Sequence, residues 1–399
     1  MRIFTRPAFL IWGLGATQII GYGTEYYSFS ILADDVAREF GRPQSWFFLI
    51  VSIALIAGGL AMPIAGRLFD RFGAARLMAV GSVLGAVGLV LTAAAPGALS
   101  FALAMCFTQV VSSLVLYDAA FTSIVQSGIG ESQPRIMFLT LIAGFSSTLF
   151  WPLTTLLDHA LGWRETLAIY GALNLGLCLP IHAWVARAGG RRVQQDVVRA
   201  ADIGAEPAAV AMDARLAAWL MVLMTAGFSL TGVTLSAILS QMVPMLQALG
   251  LGGTALIVAA LFGPAQVFMR GVNIFFGEKQ HPLHVTLFSL SLLPLALFVL
   301  ALTAPNIAGA VVFAVLVGLS SGLKSIVQGT LPLAVFGRKG YGTRLGTMSG
   351  VRFVLAALAP AGFAWTSELT STRGAAYVFA AIGVVGVMCF VEVGRKLKK

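Results

Sequence analysis

Twelve apolar runs, each long enough to cross a lipid bilayer, follow one another along this sequence with mostly short polar turns between them. About 20 helical residues span the hydrocarbon core of a membrane. The runs fall at about 8–33, 45–66, 74–95, 98–126, 136–158, 165–187, 215–243, 253–276, 283–303, 306–332, 342–366 and 374–394. In lipid each backbone N–H and C=O must be satisfied within the protein, so runs of this length fold as helices. The expected fold class is therefore an all-α membrane protein with twelve transmembrane helices. Composition excludes a water-soluble globule, because 58% of the 399 residues are hydrophobic and only 11% are charged.

Orientation follows from the basic residues. With the N-terminus inside, cytoplasmic segments hold about nineteen Lys and Arg, and outside segments hold about four, namely Arg38, Arg42, Arg164 and Arg373. Both termini are expected on the cytoplasmic side of a bacterial inner membrane. The net charge of +10 is explained by this asymmetry and by anionic lipid head groups, and no nucleic-acid reading follows from it. The first run, preceded by Arg2 and Arg6, is expected to be retained rather than cleaved, since it is long, carries Glu25 and leads into further spans. Cys106, Cys178 and Cys389 share no spacing and are expected as buried thiols, with no disulfide framework and no metal site.

Between the second and third runs sits Gly66-Arg67-Leu68-Phe69-Asp70-Arg71-Phe72-Gly73, with Arg76 just beyond. Two glycines let long helices turn back within a few residues, and Asp70 is placed at a helix end facing water. The segment resembles the G-x-L-x-D-R-x-G loop of the major facilitator superfamily. Gly66, Asp70, Arg71 and Gly73 match, and the basic pair that follows in the family is reduced to Arg76. The resemblance implies two pseudo-symmetric six-helix bundles, here 1–187 and 215–399 with 188–214 as a cytoplasmic linker, rocking around a midplane site. It also implies that Gly66, Asp70, Arg71 and Gly73 act in gating, with Asp70 meeting the N-terminus of the eleventh span at Tyr341-Gly342. Such a contact contributes roughly 0.3–1 kcal/mol. A second copy of the loop is expected between spans eight and nine, where Gly277-Glu278-Lys279-Gln280-His281 keeps little of it.

Ionisable residues deep in a span are costly and so point to function. Glu25, Asp118, Arg270, Lys324 and Arg352 are of this kind. In span eight Gln266, Arg270 and Asn273 share one helix face, suited to an anion. This span resembles that of the monocarboxylate-transporter-like branch, where an Asp and an Arg four residues apart handle proton and carboxylate. Arg270 matches the Arg, whereas Gln266 replaces the Asp and carries no proton. Tyr26-Tyr27-Ser28-Phe29, Gly162-Trp163-Arg164 and the stretch from Thr330 to Gly342 resemble the same branch. Lys324 shares a face with Gln328 and either Ser320 or Ser321, and is expected to bind an anion or to pair with Asp118 or Glu25. Gln18, Tyr22, Glu25 and Phe29 form a stripe on span one, with Glu25 toward the outer end, within reach of water. Asp118 is placed nearer mid-membrane and is the first choice of the two as proton carrier. Thr225, Ser229, Ser236 and Ser240 form a polar stripe expected to face the cavity.

The resulting expectation is a secondary transporter moving a small organic anion, a monocarboxylate, by alternating access, coupled to protons. Arg270, Lys324, Gln266, Asn273, Tyr22 and Gln328 would bind substrate and Asp118 or Glu25 would carry the proton. With no P-loop and no nucleophile–base pair on one face, the chain is not expected to be an enzyme or to need a cofactor. Its partners would be the substrate, protons and the bilayer, and it would act as a monomer. One alternative is a carrier of copper or arsenite through the soft thioethers of Met242, Met245 and Met269. Another is a non-transporting membrane sensor, which a substantial soluble signalling domain would favour; none is expected in this chain.

Overall fold

The computed structural model describes residues 6–128, 131–187, 212–276 and 280–398. The expected linker lies outside the described residues up to residue 211, as do Gly277, Glu278 and Lys279. The fold is all helical. Helix α1 is built from Arg6–Tyr22, Gly23–Tyr27 and Ser28–Glu39. It is followed by α2 (Gln44–Phe72), α3 (Ala74–Ala93), α4 (Ala98–Gln126), α5 (Ser132–Leu161) and α6 (Trp163–Arg187). Then come α7 (Ala214–Leu251), α8 (Thr254–Ala260 and Phe262–Phe276), α9 (Pro282–Thr303), α10 (Ile307–Phe336), α11 (Tyr341–Leu369) and α12 (Thr372–Leu397). Eleven of these are long and apolar enough to cross a membrane by length and composition, and α1, in three consecutive pieces, is the twelfth long helix. Many large apolar side chains point outward, among them Leu60, Ile257, Phe268, Leu302 and Trp365, as a lipid-facing surface requires.

Two compact units emerge, Met1–Ala211 with Gly337–Gly350, and Met212–Phe336 with Val351–Lys399. The segment Gly337–Gly350, drawn by its place in the sequence into the second bundle, packs with the first. The reason is a glycine seam. The carbonyls of Gly342, Met62 and Gly59 lie where side chains at Gly66, Gly346 and Gly350 would sit, so α11 approaches α2 to backbone contact.

Inside the first unit, four helices depart from regular geometry, α5 by an interruption at 144–145. Helix α4 is interrupted at 113–116, and the Val115 carbonyl freed there accepts a hydrogen bond of 2.7 Å from Gln18 Nε2 of α1. Gly23–Tyr27 in α1 and Asn174–Cys178 in α6 are π-helical turns, each accommodating an extra residue, a device that often marks functional positions. Asn174 Nδ2 ties the two turns by donating to Thr24 Oγ1 at 3.0 Å.

At the ends opposite Asp70, Gly162-Trp163-Arg164 becomes a lock. Arg164 donates to Glu39 Oε1 at 2.6 Å from Nη2 and 3.0 Å from Nε, and to the carbonyls of Ala93 and Ala95. Trp163 Nε1 donates to Glu39 Oε2 at 2.6 Å. Under it lies an aromatic core including Phe29, Phe47, Phe101, Phe150 and Tyr170. The core of the second unit is built instead from small and aliphatic residues of α7 to α12, such as Ala237, Leu246, Leu297, Ala310 and Val317.

Candidate functional site

Asp70 closes the last turn of α2 and accepts three hydrogen bonds from the start of α11. Its Oδ1 takes the Gly342 N–H at 3.0 Å, and its Oδ2 takes the Thr343 N–H at 2.7 Å and the Thr343 hydroxyl at 2.6 Å. The first N–H groups of a helix have no partner within it, and a carboxylate satisfies both them and the helix dipole. Gly73, at φ 90°, turns the chain into α3. Gln126, which sequence reasoning missed, clamps that turn by accepting from the Ala74 N–H at 2.8 Å and donating to the Phe69 carbonyl at 2.9 Å. Arg71 is exposed and lies over the Phe72 ring, 5.0 Å from its centroid.

Of the two carboxylates buried in the first unit among the described residues, Glu25 departs from expectation. Helix α1 runs on to Glu39, so Glu25 falls near its middle instead of its outer end, and water does not reach it: its exposure is 0%. Its carboxyl lies against Gly85 of α3, where any Cβ would collide with Oε1. Neither carboxyl oxygen has a hydrogen-bond partner among the described residues. The backbone carbonyl of Glu25, freed by the π turn, accepts 2.6 Å from Gln109 Nε2 of α4. Asp118 opens the short second piece of α4, Tyr117–Gln126, whose last residue reaches the α2–α3 turn. It lies about six residues past the middle of α4 and eight short of its end at Gln126, on the Asp70 side. It is buried, sits in the first turn where the dipole favours a negative charge, and is within electrostatic reach of Tyr341. Tyr22 is half-buried, its ring 4.6 Å from that of Tyr117.

In the second unit, Lys324 of α10 and Arg352 of α11 converge on Gly232 of α7. A Cβ at Gly232 would touch Arg352 Cγ and Cδ and Lys324 Nζ, and the two cations are close enough to act on one another. Lys324 donates to the Thr231 carbonyl at 3.2 Å. Arg352 Nη1 donates to Gln328 Oε1 at 2.8 Å, which leaves the buried Gln328 Nε2 without an acceptor among the described residues. Both cations lie near the middle of their helices. Arg270 and Asn273 are buried on α8, Arg270 six residues, or about 9 Å, from its end at Phe276. Gln266 Nε2 donates to Ser321 Oγ at 2.8 Å. On the α7 stripe, Ser236 donates to the Ala356 carbonyl, and Thr225 and Ser240 bond back to their own helix. Met242 and Met245 sit in the apolar core beside Ile238 and Leu246.

Sequence reasoning also missed His182 of α6. It is 1% exposed, its Nδ1 lies 2.7 Å from Ser82 Oγ of α3, and its Nε2 has no partner among the described residues. A lone His near the end of an apolar run carries no periodic signal. Its spacing of four from Cys178 and eight from Asn174 on one helix face was the available hint.

Comparison with known proteins places these features in a family. The model described as Major Facilitator Superfamily matches residues 14–360. Monocarboxylate transporter 11 of Homo sapiens is 27% identical over 172 residues, 42% of this chain. The match spans about a third of that relative's length, 36%. Among solved structures, the proton:xylose symporter XylE bound to 6-bromo-6-deoxy-D-glucose superposes with a TM-score of 0.72 at 13% identity, covering 96% of this chain and 95% of that one. FucP in the outward conformation gives 0.69 at 14%, covering 95% and 97%. The human organic anion transporter MFSD10 gives 0.66 at 14%, covering 96% and 98%. At these identities the likeness is one of fold.

Proposed function

The chain belongs to the Major Facilitator Superfamily and is a secondary transporter of the membrane, and on that premise we propose that it moves a small organic anion, a monocarboxylate, together with a proton. The observation that carries this reading is the meeting of Lys324 and Arg352 beside Gln328 Nε2. Two cations held close repel one another, and a carboxylate between them relieves the repulsion while accepting charge-assisted hydrogen bonds. All three groups present donors. Arg270, Gln266 and Asn273 extend the same donor-rich chemistry on α8, toward the end at Phe276. The partial likeness to a monocarboxylate transporter supports the same class of cargo.

Glu25 is the proton carrier in this reading. An ionised carboxylate with no partner in an apolar interior lacks compensation, whereas a carboxyl that alternates between protonated and ionised forms gives the cycle a charge-neutral step. Asp118 already sits at a helix N-terminus that favours its charge, which makes it the less suited of the two. The Asp70 contact with α11 acts as a latch on the cytoplasmic side, released during alternating access. The protein works as a monomer in a bacterial inner membrane with both termini cytoplasmic, the orientation its basic loops favour.

The test is a thermal-shift panel on the purified protein with acetate, lactate and pyruvate, and with copper(I) and arsenite for comparison. A ligand of the folded state raises apparent stability. A shift with a carboxylate that vanishes in Arg352→Gln is the expected result. A shift with copper or arsenite alone overturns it.

A further inference from the structure

Glu25 is 0% exposed, so a proton reaching it needs a route, and among the buried polar groups of the first unit Ser82 and His182 form a pair suited to that task. On α3, Ser82 lies one turn from Gly85, the residue against which the Glu25 carboxyl rests. One helical turn is about 5.4 Å. On α6, His182 lies one turn beyond Cys178, which is itself within electrostatic reach of Glu25. Ser82 and His182 join across the two helices at 2.7 Å. Ser82 lies three residues from Gly85 in the direction of the α2–α3 turn, near the middle of α3, and His182 lies five residues from the end of α6 at Arg187.

The pair is built to relay a proton as well as to hold two helices together. Ser82 Oγ is within 3.1 Å of the Met78 carbonyl, so the hydroxyl can donate there while accepting from an Nδ1–H. In that tautomer His182 Nε2 is a bare lone pair, and it is the buried ring nitrogen without a partner. A purely structural histidine in an apolar bundle would be expected to satisfy both nitrogens.

We infer that His182, anchored by Ser82, is the group through which Glu25 exchanges its proton with the side of the membrane that carries Asp70. The proton leaves the Glu25 carboxyl, crosses a bridging water to His182 Nε2, and leaves the resulting imidazolium toward that side, restoring the neutral ring. The transfer needs only water as co-reactant. This inference rests on the reading of Glu25 as proton carrier.

Infrared spectroscopy of the full-length protein in lipid nanodiscs separates the two claims. The carbonyl stretch of a protonated buried carboxyl is recorded, and its hydrogen–deuterium exchange is timed after transfer to heavy water. Glu25→Gln should remove the band; if it does not, the proton-carrier reading itself fails. With the band assigned, His182→Gln should keep it and slow its exchange by about 100-fold, the low end of what a positioned proton-transfer group contributes. An unchanged or faster exchange in His182→Gln overturns the route while leaving the carrier intact, because a merely structural histidine would loosen the bundle when lost and speed exchange. Ser82→Ala, which frees the ring without removing it, should slow exchange by a smaller factor. Should His182→Gln fail to fold, the rate in Ser82→Ala decides, and no slowing there overturns the route.

Discussion

The two units bury opposite charges. Among the described residues, the carboxylates buried in the first are Glu25 and Asp118, and the cations buried in the second are Lys324 and Arg270, with Arg352 half-buried beside Lys324. Their cores differ too, aromatic in the first and small or aliphatic in the second. Under the proposed function this contrast is a division of labour, with the acids of the first unit assigned to the proton and the cations of the second to the anion. Neither interior is a sensible store of stability, since taking charges out of water costs free energy.

The strongest way to break this division is to remove a cation. Arg352→Gln and Lys324→Gln should each lower kcat/KM for lactate uptake into proteoliposomes by about 10- to 100-fold, because hydrogen bonds to charged groups contribute roughly 1.5–3 kcal/mol. If both variants transport normally, the second unit does not bind the anion. Next comes Glu25→Gln. Uphill uptake driven by a pH gradient should be lost while exchange of internal for external lactate persists. Equal loss of both would place Glu25 in substrate binding and erase the contrast between the units.

Smaller effects sharpen the picture. Asp70→Asn keeps the size of the side chain but removes its charge, worth roughly 0.3–1 kcal/mol, and at least one of the three hydrogen bonds accepted from Gly342 and Thr343, because an amide nitrogen cannot accept. A modest fall in Tm and faster labelling of a cysteine placed at the start of α11 are expected. The smallest effect belongs to Glu39. The guanidinium of Arg164 holds its carboxyl below the ordinary value of 4.5, against an upward push from burial and with a smaller downward one from the Trp163 N–H. A lowered carboxyl contributes stability above its unfolded value that is lost as pH falls through the folded one. The wild-type Tm should therefore fall more steeply below pH 4.5 than that of Glu39→Gln. With side-chain exposures of 42% and 31%, solvent screening keeps the difference under about 1 kcal/mol.

The Asp70 loop was legible because both its glycines and its carboxylate sit within eight residues, and local backbone geometry dictates what they do. The glutamate was found but misplaced. Its depth depends on where α1 ends, and its direction on a π turn that no hydropathy pattern reveals. Arg352 was counted among the buried charges, yet its meeting with Lys324 joins residues 28 positions apart on two helices, which periodicity on either helix alone does not encode. Gln109 and His182 were passed over, and Gln18 was placed on a stripe without its partner on α4, because a single polar residue in an apolar run looks the same whether it faces a partner or a gap.

What the sequence determined by itself was a membrane protein of twelve helices, the sharp turn after α2 and the inventory of buried charges, since lipid forbids unsatisfied backbone and each of these depends on neighbours in the chain. The tertiary structure alone decided which charges meet. Helix rotation, the break in α4 and the glycine seam joining the start of α11 to α2 are set by packing between segments far apart in sequence, and packing is a property of surfaces in contact.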